Sequence, residues 1–285
     1  MIPDQPDLYA ALRQSGVAPQ DLPQLLASAA PQVAQRLAPI DKGLLAAILR
    51  AGAGGPAIPQ AAEIIAYLRR TPPTPLFHPD PASARLLALP TTGQHPDMPA
   101  FSDPAFDPWF AACHVDYGIG LYGENRTVYA TPQFADTASP ERRTIHLGID
   151  VFAPAGTPVF APYAGRVHVL AYNADPLDYG HTLILEHRAG DVPFFTLYGH
   201  LGGSLPRLLS SGATVRAGQH IADLGDWPEN GGWAPHLHFQ IITDMLEQTG
   251  GNFFGVGHAS LWDIWQDISP DPNLILHLPD SAIPR

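Results

Sequence analysis

The chain contains three consecutive runs of β-branched and aromatic residues: GRVHVLAY at 165–172, HTLILEH at 181–187 and PFFTLYGH at 193–200. Gly, Asp and Pro residues bound each run, and the segments between the runs are short. Runs of this composition, separated by turn residues, are typical of antiparallel strands. We therefore predict that this part of the chain forms neighbouring strands of one antiparallel sheet.

The same pattern extends on both sides of these runs. Similar runs occur at 126–130, 158–162 and 235–242, again between turn-forming residues. Many short strands at close spacing indicate a sandwich or a barrel rather than alternating strands and helices. The sequence predicts an all-β antiparallel, sandwich- or barrel-like domain over residues 115–250.

Residues 1–70 have a different periodicity. Leu44, Leu45 and Ile48 recur at helical spacing after Asp41, a residue type that caps helix N-termini. We predict a small α-helical region here, so that the fold class is α+β overall. Its apolar stripes form either a small core or a contact for a protein partner or a second copy of the chain.

The remaining segments are rich in proline or in aromatic residues. Residues 71–114 are predicted to be a Pro-rich linker that wraps the β domain, because its aromatic side chains need a surface to pack on. These side chains are Phe77, Phe101, Phe106, Trp109 and Phe110. Residues 251–285 are predicted to be an aromatic C-terminal tail that packs on the β domain.

Composition excludes several classes of function. The 285 residues include 15 Lys and Arg against 27 Asp and Glu, a net charge of −12, and the basic residues form no stripe. We therefore expect no nucleic-acid partner, since such proteins present clustered cations. Cys113 is the single cysteine, which excludes an intramolecular disulfide and a cysteine-based zinc knuckle.

The N-terminal residues and the hydropathy indicate a compartment. The chain has no apolar run of 18 residues, so we expect no transmembrane segment. The first residues lack the basic and apolar regions of a signal peptide, which predicts a cytoplasmic protein. A trimmed chain would look the same, and its location would then be periplasmic or extracellular.

Two histidine motifs predict a metal site. His146 and Asp150 lie four residues apart where a strand is expected to begin, and His236 and His238 lie within another expected strand. Residues i and i+2 of a strand face the same side of a sheet. Two imidazoles and one carboxylate suit zinc, with a fourth position open for water. The spacing alone does not decide which of His236 and His238 is the ligand, and two partly exposed strand histidines would give the same pattern.

The order of motifs around these residues resembles a known family. The motifs are HLGID at 146–150, GTPV at 156–159, GRV at 165–167, YGHL at 198–201 and PHLHFQ at 235–240, with a looser LYGENR at 121–126 before them. Over roughly residues 120–245, this series resembles the lysostaphin-like zinc metallopeptidases, which are peptidoglycan endopeptidases.

The resemblance implies a role for each matching position. It implies that His146, Asp150 and His238 bind one zinc ion per chain, and that His200 and His236 are the catalytic histidines. It also implies a zinc-dependent endopeptidase that hydrolyses amide bonds in peptidoglycan cross-links or stem peptides. The expected partner is therefore a peptide or a peptidoglycan substrate.

Two other functions stay open. One is a cytosolic metallo-amidase or peptidase that acts on a small soluble substrate. The other is a non-catalytic docking module of the same fold. All five site positions carry the matching residue types, which favours an enzyme over a docking module.

Overall fold

The structure is a computed structural model that describes residues 2–91, 95, 97–126 and 134–283. The strand predicted at 126–130 lies outside the described residues except for Arg126.

The first 70 residues are helical, as predicted. The helices are α1 (Leu8–Gln14), α2 (Leu22–Ala27), α3 (Pro31–Leu37), α4 (Lys42–Gly52) and α5 (Ala61–Arg70). The Asp7 carboxylate accepts hydrogen bonds from the backbone N–H groups of Tyr9 and Ala10, and that of Asp41 accepts from Leu44. These side chains satisfy N–H groups that have no partner within the helix, which fixes where α1 and α4 begin.

The strands begin within the Pro-rich segment and continue to residue 257. They are β1 (Leu86–Ala88), β2 (Tyr117–Gly120), β3 (Ile145–His146), β4 (Ile149–Phe152), β5 (Pro158–Phe160), β6 (Gly165–Asn173), β7 (Gly180–Ala189), β8 (Val192–Leu201), β9 (Thr214–Val215), β10 (His220–Asp223), β11 (His236–Ile242) and β12 (Val256–Gly257). Strands β6, β7, β8 and β11 coincide closely with four of the predicted runs.

One large sheet organises the molecule. It has eight strands in the order β1-β2-β4-β11-β8-β7-β6-β9, and two-stranded sheets β10-β5 and β12-β3 accompany it. The pairings are antiparallel except that of β1 with β2, which is parallel. The predicted fold class, a largely antiparallel β domain preceded by a helical region, is confirmed.

The segment predicted as a linker contributes regular structure. It supplies β1 at the edge of the sheet and helix α6 (Phe106–Ala112). Phe77, Phe101 and Phe106 are buried, and Trp109 and Phe110 are half-buried. Short helices α7 (Leu205–Leu208), α8 (Trp262–Ile268) and α9 (Asn273–Leu276) complete the fold.

Both faces of the sheet are covered. On one face Leu183 and Leu185 share a core with Ile64 of α5 and with Ile275 of the C-terminal tail. On the other face, the side chains packed together come from the sheet, from α1 and α4, and from the tail, and they include Leu12, Ile48, Ile184, Leu197, Ile242 and Trp265. The alternation of Leu183, Ile184 and Leu185 between faces is the two-residue period of a strand. Helices and tail therefore share their cores with the sheet, and the division into four segments stays a prediction.

Among the described residues, no helix combines the length and the apolar character that crossing a membrane requires.

Candidate metal centre and catalytic cleft

Strand β11 positions the two histidines of the HLH motif at the centre of the sheet. It pairs with β4 on one side and β8 on the other, and His238 lies opposite Asp150 in one register and Gly199 in the other. His146 ends β3, four residues before Asp150. The fold thus brings a residue from each motif to one point.

Three ligand-type atoms meet there. Asp150 Oδ1 lies 3.3 Å from His146 Nε2 and 3.2 Å from His238 Nδ1, and these two nitrogens are 3.0 Å apart. All three side chains are buried. They are the residues of the described chain whose His, Cys, Asp or Glu ligand atoms cluster closely enough to hold a metal ion.

Hydrogen bonds select the tautomer that each of the two imidazoles adopts in its neutral form. His146 Nδ1 lies 2.8 Å from the carbonyl oxygen of Leu121, and His238 Nε2 lies 3.0 Å from Gln240 Oε1. An oxygen of a carbonyl or amide group only accepts, so each of these nitrogens carries the hydrogen in the neutral ring. The other nitrogen of each ring keeps its lone pair, and it is this nitrogen that faces Asp150.

The amide of Gln240 is itself fixed. Its Nε2 donates to the carbonyl of Phe254 over 3.0 Å and to Ser269 Oγ over 2.8 Å. Oε1 of Gln240 is thereby turned towards His238. A partner of this kind holds a ligand imidazole in one tautomer and one orientation.

A buried arginine stabilises the ionised form of the Asp150 carboxylate. Arg126 Nη1 donates to Asp150 Oδ2 over 2.6 Å, and Arg126 Nε donates to Glu124 Oε2 over 2.9 Å. Burial alone would raise the pKa of Asp150, but the neighbouring His146 and Arg126 hold that pKa well below its usual value. Burial first, and then Arg126, lowers the pKa of His146 to about 4. At neutral pH the site therefore presents an ionised carboxylate and a neutral imidazole.

The donor set fits a divalent metal. Two nitrogen lone pairs and a carboxylate oxygen converge within 3.3 Å and repel one another unless a cation lies between them. Imidazole and carboxylate are ligands of several divalent metals. The three residues are thus able to hold one metal ion.

Glycines give this cluster its space. A Cβ atom on Gly148 would lie 2.5 Å from His238 Cε1, and one on Gly120 would lie 2.7 Å from Arg126 Nη2. Both distances are too short for non-bonded atoms. The Gly of the HLGID motif is therefore required by the closeness of the His238 ring.

Two further histidines lie beside the cluster. The rings of His200 and His236 have centroids 4.2 Å apart, and His236 Nε2 lies 3.8 Å from Asp150 Oδ1. His200 Nδ1 lies 2.7 Å from the Asn230 carbonyl, and His236 Nδ1 lies 2.7 Å from the Ala234 carbonyl. In both neutral rings Nδ1 carries the hydrogen, and Nε2 keeps a lone pair.

Burial is the main influence on both of these rings. It lowers the pKa of His236, and it lowers that of His200 well below the usual value, with the nearby His236 and His238 adding to the effect. Both imidazoles are therefore neutral near pH 7, and each can accept a proton at Nε2.

His200 has a backbone conformation that is rare for a residue with a side chain. Its φ is +61°, in the left-handed region. Its N–H donates to the Tyr179 carbonyl over 2.7 Å, and its carbonyl accepts from Gly225 N–H over 2.9 Å. Strained backbone that is held from both sides is common at functional sites.

The loop 226–233 is built around one buried amide. Asn230 Nδ2 donates to the carbonyls of Gly225 and Trp233, while its Oδ1 accepts from the backbone N–H groups of Gly232 and Trp233. All four of these bonds are between 2.9 and 3.1 Å. The loop carbonyl that orients His200 is therefore fixed in place.

A cleft of about 330 Å³ opens beside the cluster. It is lined by Phe134, Arg143, Asp175, Leu177, Asp178, Tyr179, His200, Trp233, His238, Asn252, Phe253, Phe254, Gly255 and Val256. This volume is in the range of small-ligand sites. One histidine of the metal cluster and one of the neighbouring pair are thus accessible from the same cleft.

All five residues singled out in the sequence meet at this place. Their roles as ligands and catalysts stay predictions. The orienting contacts of Gln240 and Asn230 were not predicted from the sequence. The two-residue period of a strand would have predicted the position of Gln240, because residues 236, 238 and 240 face one side of β11.

Comparison with known proteins supports the resemblance drawn from the motifs. Residues 144–249 match the sequence profile of Peptidase family M23. The chain is 36% identical over 95 residues to the uncharacterized lipoprotein YgeR of Escherichia coli, covering 33% of each protein. It is 33% identical over 103 residues to the peptidoglycan DD-endopeptidase ShyC of Vibrio cholerae, covering 36% of this chain and 21% of that protein.

A solved structure is also similar. The catalytic domain of the antimicrobial peptidase lysostaphin from Staphylococcus simulans matches with 26% identity and a TM-score of 0.30, over 42% of this chain and 80% of that one. The present chain spans a third or less of the length of the two curated relatives. The predicted family is confirmed for residues 144–249, which match Peptidase family M23.

Proposed function

We infer that residues 144–249 are a segment of peptidase family M23. On this basis we propose that the protein is a zinc-dependent endopeptidase. Its substrates would be amide bonds in peptidoglycan cross-links or stem peptides. The observation that carries the proposal is the cluster of His146, Asp150 and His238 with inward lone pairs, beside two histidines with unprotonated Nε2 atoms.

The ligand spacing supports zinc. Ligands about 2.0–2.1 Å from a tetrahedral zinc ion lie roughly 3.3 Å apart. The three atoms of the cluster are 3.0 to 3.3 Å apart. Three protein ligands would leave the fourth position open, as in catalytic rather than structural zinc sites. The chemistry that zinc supplies when bound is polarisation of the scissile carbonyl and a lower pKa of the attacking water.

The neighbouring histidines would handle the proton. Nε2 of His236, close to the Asp150 carboxylate, would accept the proton of the attacking water and later return it to the leaving amine. His200, whose Nε2 also keeps a lone pair, would be the second proton acceptor beside the attacking water. The carbonyls of Ala234 and Asn230 keep both rings in the required orientation.

The cell-wall substrate is supported by a relative. ShyC, whose matched segment is 33% identical, is described as a peptidoglycan DD-endopeptidase. A small soluble substrate is the alternative, and a docking module is disfavoured because all five positions of the site are filled.

Metal analysis and product analysis test the proposal. We expect one zinc per purified chain, and none in variants His146→Ala, Asp150→Ala and His238→Ala. The control His168→Ala, on strand β6 outside the site, is expected to keep its zinc. Mass spectrometry of purified peptidoglycan digested by the zinc-loaded chain is expected to show newly cut peptides. Full zinc occupancy in all three ligand variants, or cleavage of soluble peptides alone, would contradict the proposal.

The compartment is proposed separately. A peptidoglycan substrate would place the protein in the periplasm or outside the cell, whereas a small soluble substrate is compatible with a cytoplasmic location. Fractionation of the source cells, with detection of the protein by antibody, distinguishes these locations.

A further inference from the structure

Arg143 lines the same cleft as His200 and His238. Its guanidinium carbon lies 5.3 Å from the centroid of the Phe254 ring, which also lines the cleft. A guanidinium over an aromatic face is held in place while the edge of its fork remains free to donate. The side chain is half-buried, and burial lowers its pKa because the cation has lost water.

No carboxylate of the described residues forms a salt bridge with Arg143, and the residues outside the described ranges include no Asp or Glu side chain. Asp136 attracts it electrostatically, but the Asp136 carboxylate is engaged elsewhere. Its Oδ2 accepts from Tyr9 Oη over 2.6 Å and lies 3.1 Å from His258 Nε2, and its Oδ1 accepts from Ala138 N–H.

The other charged residues that line the cleft are acidic. Asp175 and Asp178 line it, and Asp178 is already paired with Asn252 Nδ2 over 2.8 Å. An anion that enters the cleft is therefore repelled on that part of the lining and attracted at Arg143. The protein as a whole carries a net charge of −12, which disfavours unspecific binding of anions.

We propose that Arg143 binds a free carboxylate of the peptide substrate, so that this protein selects carboxylate-bearing peptides over their neutral amides. Arg is suited to this because its planar fork matches both oxygens of a carboxylate. The inference rests on the proposed peptidase function, and Arg143 has a specificity role within it. The carboxylate would supply the direct ion-pair partner that no described Asp or Glu side chain provides.

A matched pair of peptides tests the proposal by binding. The probes are N-acetyl-tetraglycine and its C-terminal carboxamide, which have no side chains and differ in charge alone. They are titrated calorimetrically into the zinc-loaded full chain carrying His236→Ala, so that turnover does not disturb the measurement. We expect the acid to bind about 10- to 100-fold more tightly than the carboxamide, the range of a charge-assisted hydrogen bond.

Variants assign this preference to one side chain. R143Q is expected to bind both peptides equally, at the affinity of the carboxamide. R142Q, at the exposed neighbouring arginine, is expected to keep the full preference. R143K, which keeps the charge but loses the fork, is expected to show a preference several-fold smaller, and it replaces R143Q if that variant does not fold.

Three outcomes would overturn the inference: equal binding of the two peptides by the chain with Arg143 intact, no binding of either, or a preference that is undiminished in R143Q, or in R143K if R143Q does not fold. Digestion of purified peptidoglycan by the unaltered chain is measured in parallel. If peptidoglycan is not cleaved while the acid preference is present, the proposed function alone fails. If it is cleaved and the preference is absent, the role of Arg143 alone fails.

Discussion

Arg126 donates a hydrogen bond from Nη1 to Oδ2 of Asp150 over 2.6 Å, while Oδ1 of the same carboxylate faces His146 and His238. The two oxygens of Asp150 therefore have separate partners. One is held by a buried cation, and the other remains available on the side of the two imidazoles. The ion pair fixes the rotation of the carboxylate before any metal binds.

We predict that Arg126→Gln weakens metal binding by about 10- to 100-fold, the usual effect of losing a partner that orients a ligand. It should also lower the free energy of unfolding of the metal-free chain by about 3–5 kcal/mol, because a buried carboxylate loses its partner. Zinc titration and urea unfolding measure these effects. Arg85→Gln, which removes an exposed ion pair with Asp116, is the control and should change neither value. Unchanged zinc affinity in Arg126→Gln would show that Asp150 needs no orienting partner.

The two histidines of the HLH motif should separate metal binding from catalysis. We expect His236→Ala to keep its zinc and to lose about 10²- to 10⁴-fold in kcat/KM, since it removes a proton acceptor. His238→Ala should lose both zinc and activity. Because His200 and His236 would act on one transition state, the double variant should lose less than the product of the two single losses. Zinc content and turnover are measured on the same preparations, and an active His236→Ala enzyme would refute the assigned role.

A histidine far from the cleft should make stability depend on pH. His187 is buried, with Nδ1 at 3.0 Å from the Ala164 carbonyl and Nε2 at 2.8 Å from Thr196 Oγ1, an arrangement that suits the neutral ring. Burial lowers its pKa from 6.5 to about 4. The folded state thus binds this proton less readily than the unfolded state does. The stabilisation is present above pH 6.5 and is lost as the pH falls from there to about 4.

The variant His187→Gln isolates this contribution. Between pH 7 and pH 5, the metal-free wild-type chain should lose roughly 1–2 kcal/mol more unfolding free energy than His187→Gln does. Urea unfolding at both pH values measures the difference, and His168→Gln on the adjacent strand serves as the control. Identical pH dependence in wild type and His187→Gln would mean that His187 titrates alike in both states.

The helical region and the sheet should unfold together. Ile48 of α4 packs in the same cluster as Leu197 and Ile242 of the sheet and Trp265 of the tail. Ile48→Ala should cost about 2–5 kcal/mol, because it leaves a cavity in a core that both segments share. Far-ultraviolet circular dichroism and tryptophan fluorescence should report one shared transition, shifted to lower denaturant concentration. Two separate transitions would show instead that residues 1–70 are an independent domain.

Local patterns predicted the features that depend on local chemistry. Asp41 caps α4 because its carboxylate reaches the N–H of Leu44, three residues away. The HLH motif projects both rings to one side because a strand alternates with a period of two. The central strands were found for the same reason, since each run is long and bounded by turn residues.

Features that depend on distant contacts were not predictable from the sequence. Arg143 is one of two adjacent arginines, and nothing in the sequence shows that one lines a cleft while the other is exposed. The Asn230 carbonyl contacts His200 Nδ1, although the two residues are 30 positions apart in the sequence. Asn230 lies in a loop that has no periodic pattern from which this contact could be predicted. Strand β1 has three residues, and its parallel pairing with β2 depends on the path of the whole Pro-rich segment.

The position of β1 has a consequence for self-association. Leu86–Ala88 occupies the outer side of β2, whose backbone N–H and C=O groups would otherwise be exposed along the edge of the sheet. Open edges of this kind are templates on which a strand from another molecule can add. At the opposite edge, the two residues of β9 pair, within the described part of the chain, only with Gly165 and Arg166 of β6. Loss of β1 from the sheet would thus uncover the edge of β2, to which a strand from a second molecule could add.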